Sequence, residues 1–246
     1  MPFIIYCYRR FLFCHRFIIL IQLKLTSDGS HTLTTDQFGG EIYHSTNGAI
    51  NESKTVFIEA GLKPLLLKNP EKLNILEIGF GSGLNAFLTL IETLIGKATH
   101  IKYVGVDAFP VSKEIAAQLN YPGLLNYQSK NFLELHECEW NKEVLINVHF
   151  VLHKIQADFN KFTLSEKFDL VYYDAFSPAT QPELWEQPMM QKIYDLMKPN
   201  GVLTTYCAKG AFKRTLRTIG FKIEPLPGPL GKREITRAIK KEGWEI

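Results

Sequence analysis

The chain has 246 residues, of which 46% are hydrophobic and 22% charged, a balance that excludes a disordered or fibrous chain and allows one or two folded domains. Its net charge of +3 conceals an asymmetry: from Lys209 to Lys241 ten Lys or Arg stand against two acids, a local +8 with −5 on the remainder. Four cysteines (Cys7, Cys14, Cys138, Cys207) show no C-x-x-C spacing, so free thiols in a reducing cytoplasm are expected and a metal site is not.

In chain order, residues 1–20 are aromatic-rich, and His15 with Arg16 interrupts their apolar run. The run is too short to span a membrane and no small-residue cleavage site follows it. It reads as a non-native or disordered extension, from a start codon placed too far upstream, with structure beginning near Ile21; a membrane-surface helix is the alternative. Two β-favouring runs, from Gln22 and from His31, flank Asp28-Gly29, a turn that wants positive φ, and so predict a β-hairpin. Residues 49–60 carry a helical pattern that ends near Gly61.

From residue 73 strands and helices alternate: strand 73–79, helix 83–95, strand 101–106, helix 111–119, then strand 144–152 running into a loop. Strand 168–173, helix 182–197, strand 201–206 and helix 209–219 follow, and strands 220–225 and 234–240 form an antiparallel edge pair. Such alternation predicts an α/β, Rossmann-like fold with a mostly parallel, doubly wound sheet. One domain is expected over 21–246, with 21–62 as a hairpin and helix extension and 63–246 as the core.

The most informative stretch is the strand Leu73 to Ile78 running into Gly79-x-Gly81-x-Gly83. Glycines there let the backbone turn sharply and let a ligand approach where a Cβ would collide. Leu84 stands where a dinucleotide fingerprint has its last glycine, which moves the expectation from a nicotinamide cofactor to S-adenosylmethionine. Glu77 agrees, since an acid there repels phosphate and tolerates a cationic ligand. Ligands of open α/β sheets bind at the carboxyl ends of strands. There Asp107 is suited to a ribose, unless it only caps a helix. Asp158, or a neighbour in Gln156-Ala-Asp158-Phe, is suited to an adenine amino group, unless it is a plain loop residue. Asp174-Ala-Phe-Ser-Pro178 puts a carboxylate where it can orient a nucleophilic amine, or else Asp174 simply forms a turn. The basic cluster suggests a polyanion-facing surface, against the plainer reading of a solvated face. Lys209, Lys213, Arg214 and Arg217 share one helical face, and Lys232 and Arg233 lie in the connection before the last strand.

Three longer segments, Tyr43 to Phe57, Asp174 to Trp185 and Gly228-x-x-Gly231-Lys-Arg-Glu234, resemble the methyltransferase part of the bifunctional tRNA 5-methylaminomethyl-2-thiouridine biosynthesis proteins and their stand-alone relatives. The resemblance implies S-adenosylmethionine-dependent methylation of 5-aminomethyl-2-thiouridine at the tRNA wobble position. It implies Asp174 as the catalytic residue, with Glu77, Gly79, Gly81, Gly83, Asn85, Asp107 and Asp158 at the cofactor. Tyr43, Asn47, Phe176, Pro178, Lys209, Lys213, Arg214, Lys232 and Arg233 would meet the tRNA anticodon arm. This sequence lacks the flavin oxidoreductase half of the bifunctional proteins, so a separate oxidase would supply the aminomethyl form; a cytoplasmic monomer is expected. Aminopropyl transfer of the spermidine synthase kind is the runner-up, against which the glycine turn lacks the Asp-Gly-Gly ending. A catalytically silent RNA-binding module is the third reading, which the intact glycines and acids oppose.

Overall fold

The computed structural model describes residues 6–8, 19–96 and 99–241, with side chains from residue 21 onward. Its smaller sheet is antiparallel, with strands β1 (Tyr6–Tyr8), β2 (Ile19–Leu25), β3 (His31–Thr35) and β4 (Glu41–Ile42) in that order. The expectation for the first twenty residues falls largely outside the described ones; within them Tyr6 stands opposite Ile21 and Tyr8 opposite Ile19. Between β2 and β3, Gly29 takes the expected positive φ of 80°, and Asp28 Oδ1 accepts the Ser30 N–H at 3.0 Å.

The main sheet holds β5 (Lys72–Ile78), β6 (His100–Asp107), β7 (Lys142–Asn147), β8 (Phe150–Gln156), β9 (Phe168–Tyr173), β10 (Met197–Thr205), β11 (Phe221–Pro227) and β12 (Glu234–Lys240). Their spatial order is β11-β12-β10-β9-β5-β6-β8-β7. The five strands from β10 to β8 run parallel, while β12 is antiparallel to both its neighbours and β7 is antiparallel to β8. The chain steps outward from β5 through β6 to β8, then returns to β9 on the other side of β5. The strand order therefore reverses at β5, and that reversal opens a crevice at its carboxyl end.

Both faces of the sheet are covered, so its central strands are apolar on both sides. Phe57, Phe87, Tyr103 and Tyr172 pack on one face; Phe168, Tyr173, Trp185 and Met190 pack on the other. On the first face, helix Leu84–Ile95 buries nine side chains. Beside it runs a helical stretch of Ala49–Ser53, the π-helical Lys54–Leu62 and Lys63–Leu66. A Cβ on Gly61 would stand 3.2 Å from Leu170 and Thr204, so glycine allows this stretch to lie close on β9 and β10.

Several expected elements differ. The single strand over 144–152 is two, β7 and β8, because Asn147 Oδ1 accepts the His149 N–H at 2.8 Å and turns the chain back. Helix Ser129–Glu137 was not expected from its polar start, although Phe132, Leu135 and His136 are buried at helical spacing. Of the expected helix 111–119 only Lys113–Ala116 forms, and a second short helix that was not expected, Tyr121–Leu125, follows it with Pro122 in its first turn. In place of helix 182–197 a 3-10 turn, Pro182–Trp185, precedes helix Gln187–Leu196, and β10 begins earlier than expected, at Met197.

Candidate active site

A cavity of about 910 Å³ opens at the carboxyl ends of β5, β6, β8 and β9, within the size range of small-molecule sites. Gly79 and Gly81 form its floor with φ of 91° and 50°. A Cβ on Gly79 would stand 2.6 Å from the Asp174 carbonyl oxygen, so the two strand ends approach as only glycine permits. Asp107, at the end of β6, accepts the Gly81 N–H on Oδ2 at 2.8 Å and the Phe109 N–H on Oδ1 at 2.7 Å. Burial raises its carboxyl above the usual range, and those two backbone donors oppose the rise.

Asp174 follows β9 and lines the same cavity. Its Oδ2 accepts Asn85 Nδ2 at 2.8 Å, and the same amide nitrogen reaches Glu77 Oε1 at 2.9 Å. Burial, then the charge of Glu52, pushes Asp174 up to about 7, while Asn85 and the Lys232 ammonium pull it down. Glu77 is completely buried and held well above the carboxylate range, first by burial and further by Asp174. Its Oε2 and Asn85 Oδ1 have no hydrogen-bond partner, the Tyr103 hydroxyl interacting with Glu77 without completing one.

Aromatic side chains wall one flank. Phe176 meets Tyr43 edge-on at 5.2 Å between ring centroids and Phe38 at 5.0 Å, and Phe38 meets Phe109 at 5.7 Å. The Phe176 backbone is fixed from behind, since Trp185 Nε1 donates to its carbonyl at 2.8 Å. Beneath the glycine turn, His44 Nε2 and Ser82 Oγ share a hydrogen bond of 2.7 Å, and His136 Nε2 lies 3.2 Å from the Ser82 carbonyl oxygen. Burial pushes both imidazoles down to about 4, so both are neutral at pH 7. They brace the turn.

Gly79, Gly81, Asn85, Asp107, Asp158, Asp174, Tyr43, Phe176 and Lys232 all line the cavity. Asp158 sits at its rim, paired with Lys161 at 3.5 Å. Glu77 lies one layer behind the wall and reaches it through Asn85. Gly83 is also outside the lining; a Cβ there would stand 2.6 Å from His136 Nε2, so its glycine serves packing of the turn. Asn47 packs its amide against Gly231, and Pro178 is not on the cavity wall.

The shared basic face needs correction. Lys213 is buried and paired with Glu234 at 2.6 Å, whereas Lys209, Arg214, Arg217 and Arg233 are exposed. Lys232 turns inward, where it pairs with Glu52 and lies 4.2 Å above the Tyr206 ring. Sequence reasoning missed Glu52, Tyr206, Phe38 and the His44–Ser82 pair as parts of this site. Glu52 alone carried a signal, an acid in the first turn of the helix Ala49–Ser53, and that reads equally as a helix-dipole acid.

A glycine cradle surrounded by Glu77, Asp107 and Asp174 fits a cationic, ribose-bearing ligand and is hostile to a pyrophosphate. These features are those of a class I methyltransferase, and the chain belongs to the S-adenosyl-L-methionine-dependent methyltransferase family whose pattern matches residues 118–241. It is similar to the tRNA 5-methylaminomethyl-2-thiouridine biosynthesis bifunctional protein MnmC of Leptospira interrogans, 28% identical over 221 residues, covering 86% of this chain and 34% of that protein. The protein of that name from Aromatoleum aromaticum is 28% identical over 233 residues, 88% of this chain and 35% of the relative. This chain thus spans about a third of the length of these curated relatives.

Among solved structures, MNMC2 from Aquifex aeolicus superposes with a TM-score of 0.70 at 24% identity, over 89% of this chain and 70% of that one. Spermidine synthase from Thermotoga maritima gives 0.55 at 17% identity, over 97% of this chain and 72% of that one. Both likenesses concern the fold. S-Adenosyl-L-methionine is the cofactor of the family, and in this chain Gly79, Gly81 and Asp107 would hold its nucleoside end, with Asp158 at the rim. When bound it supplies an activated methyl group. No helix among the described residues is long and apolar enough to cross a membrane.

Proposed function

We propose that this chain methylates the primary amine of 5-aminomethyl-2-thiouridine at the wobble position of tRNA, giving 5-methylaminomethyl-2-thiouridine. The observation that carries the reading is Asp174, a half-buried carboxylate at the cavity wall, bonded to Asn85 at 2.8 Å, whose proton affinity lies near neutrality, at about 7. A group of that affinity accepts a hydrogen bond from an amine, orients its lone pair and takes the proton released as the nitrogen is alkylated. The nearby edge-to-face pair of Tyr43 and Phe176 offers an aromatic surface for a base brought out of its stack. Most of the rate gain would come from holding amine and methyl in line. The names of the Leptospira and Aromatoleum relatives support the tRNA substrate. Exposed Lys209, Arg214, Arg217 and Arg233 supply cationic surface for its phosphates, and the free thiols of Cys138 and Cys207 suit a cytoplasmic setting.

The test is methyl transfer from labelled cofactor to tRNA carrying the aminomethyl group, followed by mass analysis of its nucleosides. Appearance of the methylaminomethyl nucleoside is expected. Label on no nucleoside, or on a base position other than the amine, overturns the reading. Aminopropyl transfer remains the competing chemistry for this fold, and the same assay with a polyamine acceptor separates the two.

A further inference from the structure

Lys232 and Glu52 are 180 positions apart in sequence and form an ion pair inside the cavity. Glu52 is 5% exposed, and its second oxygen accepts the Ser45 N–H at 2.7 Å, so the carboxylate is fixed by the loop that precedes its helix. The Lys232 ammonium also lies 4.2 Å over the face of Tyr206, whose hydroxyl donates to the Ala175 carbonyl at 2.9 Å, one residue beyond Asp174. A carboxylate and an aromatic face together make a receptor for an ammonium ion. This receptor opens on the same cavity as Asp174, and its present occupant is a side chain of the protein itself.

We propose that Glu52 and Tyr206 form the subsite that receives the ammonium form of the substrate's primary amine before methylation, and that in the free protein the Lys232 ammonium fills this subsite and leaves when the substrate enters. The proposal rests on the amine-methylation reading above. Charge balance favours an exchange, because withdrawing Lys232 alone would strand a buried carboxylate whose charge reaches Asp174. An entering ammonium restores the pairing. The backbone need not move: Gly228 N–H bonds Arg233 O at 3.2 Å and Lys232 N–H bonds Pro229 O at 2.9 Å, which closes the loop on itself. Rotation of the flexible four-carbon stem of Lys232 is enough to empty the subsite.

The test is a binding titration with two nucleosides, 5-aminomethyluridine and 5-hydroxymethyluridine, which differ only in the group that enters the subsite. Lys232→Met should bind the aminomethyl nucleoside at least about tenfold more tightly than wild type, while binding of the hydroxymethyl nucleoside stays level. Lys232→Gln should repeat this selectivity, Lys232→Arg should show no gain, and adding Glu52→Gln to Lys232→Met should abolish it. An equal response to both nucleosides, or weaker or absent aminomethyl binding in both neutral variants, overturns the proposal and leaves the pair as a structural latch. Methyl transfer to tRNA by the wild-type protein, measured separately, decides the substrate reading; amine-over-hydroxyl selectivity decides the subsite.

Discussion

Asp174 and Glu77 are joined through one amide nitrogen: Asn85 Nδ2 donates to Asp174 Oδ2 at 2.8 Å and to Glu77 Oε1 at 2.9 Å. Two carboxyl groups, Glu77 buried and Asp174 half-buried, thus depend on a single donor, and the charge of Asp174 raises the affinity of Glu77 for a proton. Asn85→Ala removes both bonds at once. We expect a stability loss of about 1–3 kcal/mol from the unsatisfied groups, read by urea denaturation, and a rise of the Asp174 pKa above its present position, read in the pH profile of methyl transfer. An unmoved profile would separate Asn85 from Asp174.

Stability should fall with rising pH across the window set by Asp174. Its folded-state value of about 7 lies above the ordinary 3.8, so between these limits the folded protein holds a proton that the unfolded chain has released. The contribution is fully present below pH 3.8 and lost as pH rises through 7. Buried Glu77 acts in the same direction. Asp174→Asn should flatten the slope and make the variant more stable than wild type at pH 8 by on the order of 2–4 kcal/mol. Parallel denaturation curves for both proteins at pH 5 and 8 provide the check.

For catalysis the same residue should behave oppositely. Asp174→Ala is expected to slow methylation by at least about 10² with cofactor affinity nearly intact, and Asn should fall between Ala and wild type. Single-turnover rates alongside calorimetric cofactor binding test this. Near-normal turnover of the Ala variant would reduce Asp174 to a turn residue.

Asp107 holds the glycine turn, its oxygens receiving the Gly81 and Phe109 N–H groups, and we propose that it also meets the cofactor's ribose. Asp107→Ala should weaken S-adenosylmethionine binding by about 1.5–3 kcal/mol without creating affinity for NAD. Calorimetry with both ligands is the measurement, and an unchanged dissociation constant removes Asp107 from the site.

Only the outward-facing cations should register in tRNA binding. Replacing Arg214, Arg217 and Arg233 with Ala is expected to flatten the log–log salt dependence by about 2–3, at roughly 0.7–0.9 per lost phosphate contact. Lys213→Ala should leave the slope alone, because that ammonium is buried against Glu234. Equal slopes for the triple variant and wild type would place the RNA on another face.

Much of the architecture was legible because it is written locally. Alternating apolar strands and amphipathic helices give the parallel sheet, and the glycines after Ile78 announce a turn that a Cβ would block. Asp107 and Asp174 were found by the same logic, since strand ends are where an open sheet keeps its ligands. Local signals failed at Asn147, where one side-chain hydrogen bond reverses the chain inside a run that reads as a single strand.

The sequence by itself determined the kind of fold, the glycine turn and the acids beside it, because each is set by the few residues around it. Which cations face inward was decided only by tertiary structure. Lys213 and Lys232 belong to one basic cluster on paper, yet Glu234 draws one against the last strand and Glu52 draws the other into the cavity. Arg214 and Arg233, each one position along, remain exposed. Charge pattern records the sign of a side chain; the partner that fixes its direction arrives from as many as 180 positions away, when the folded sheet brings the two segments together.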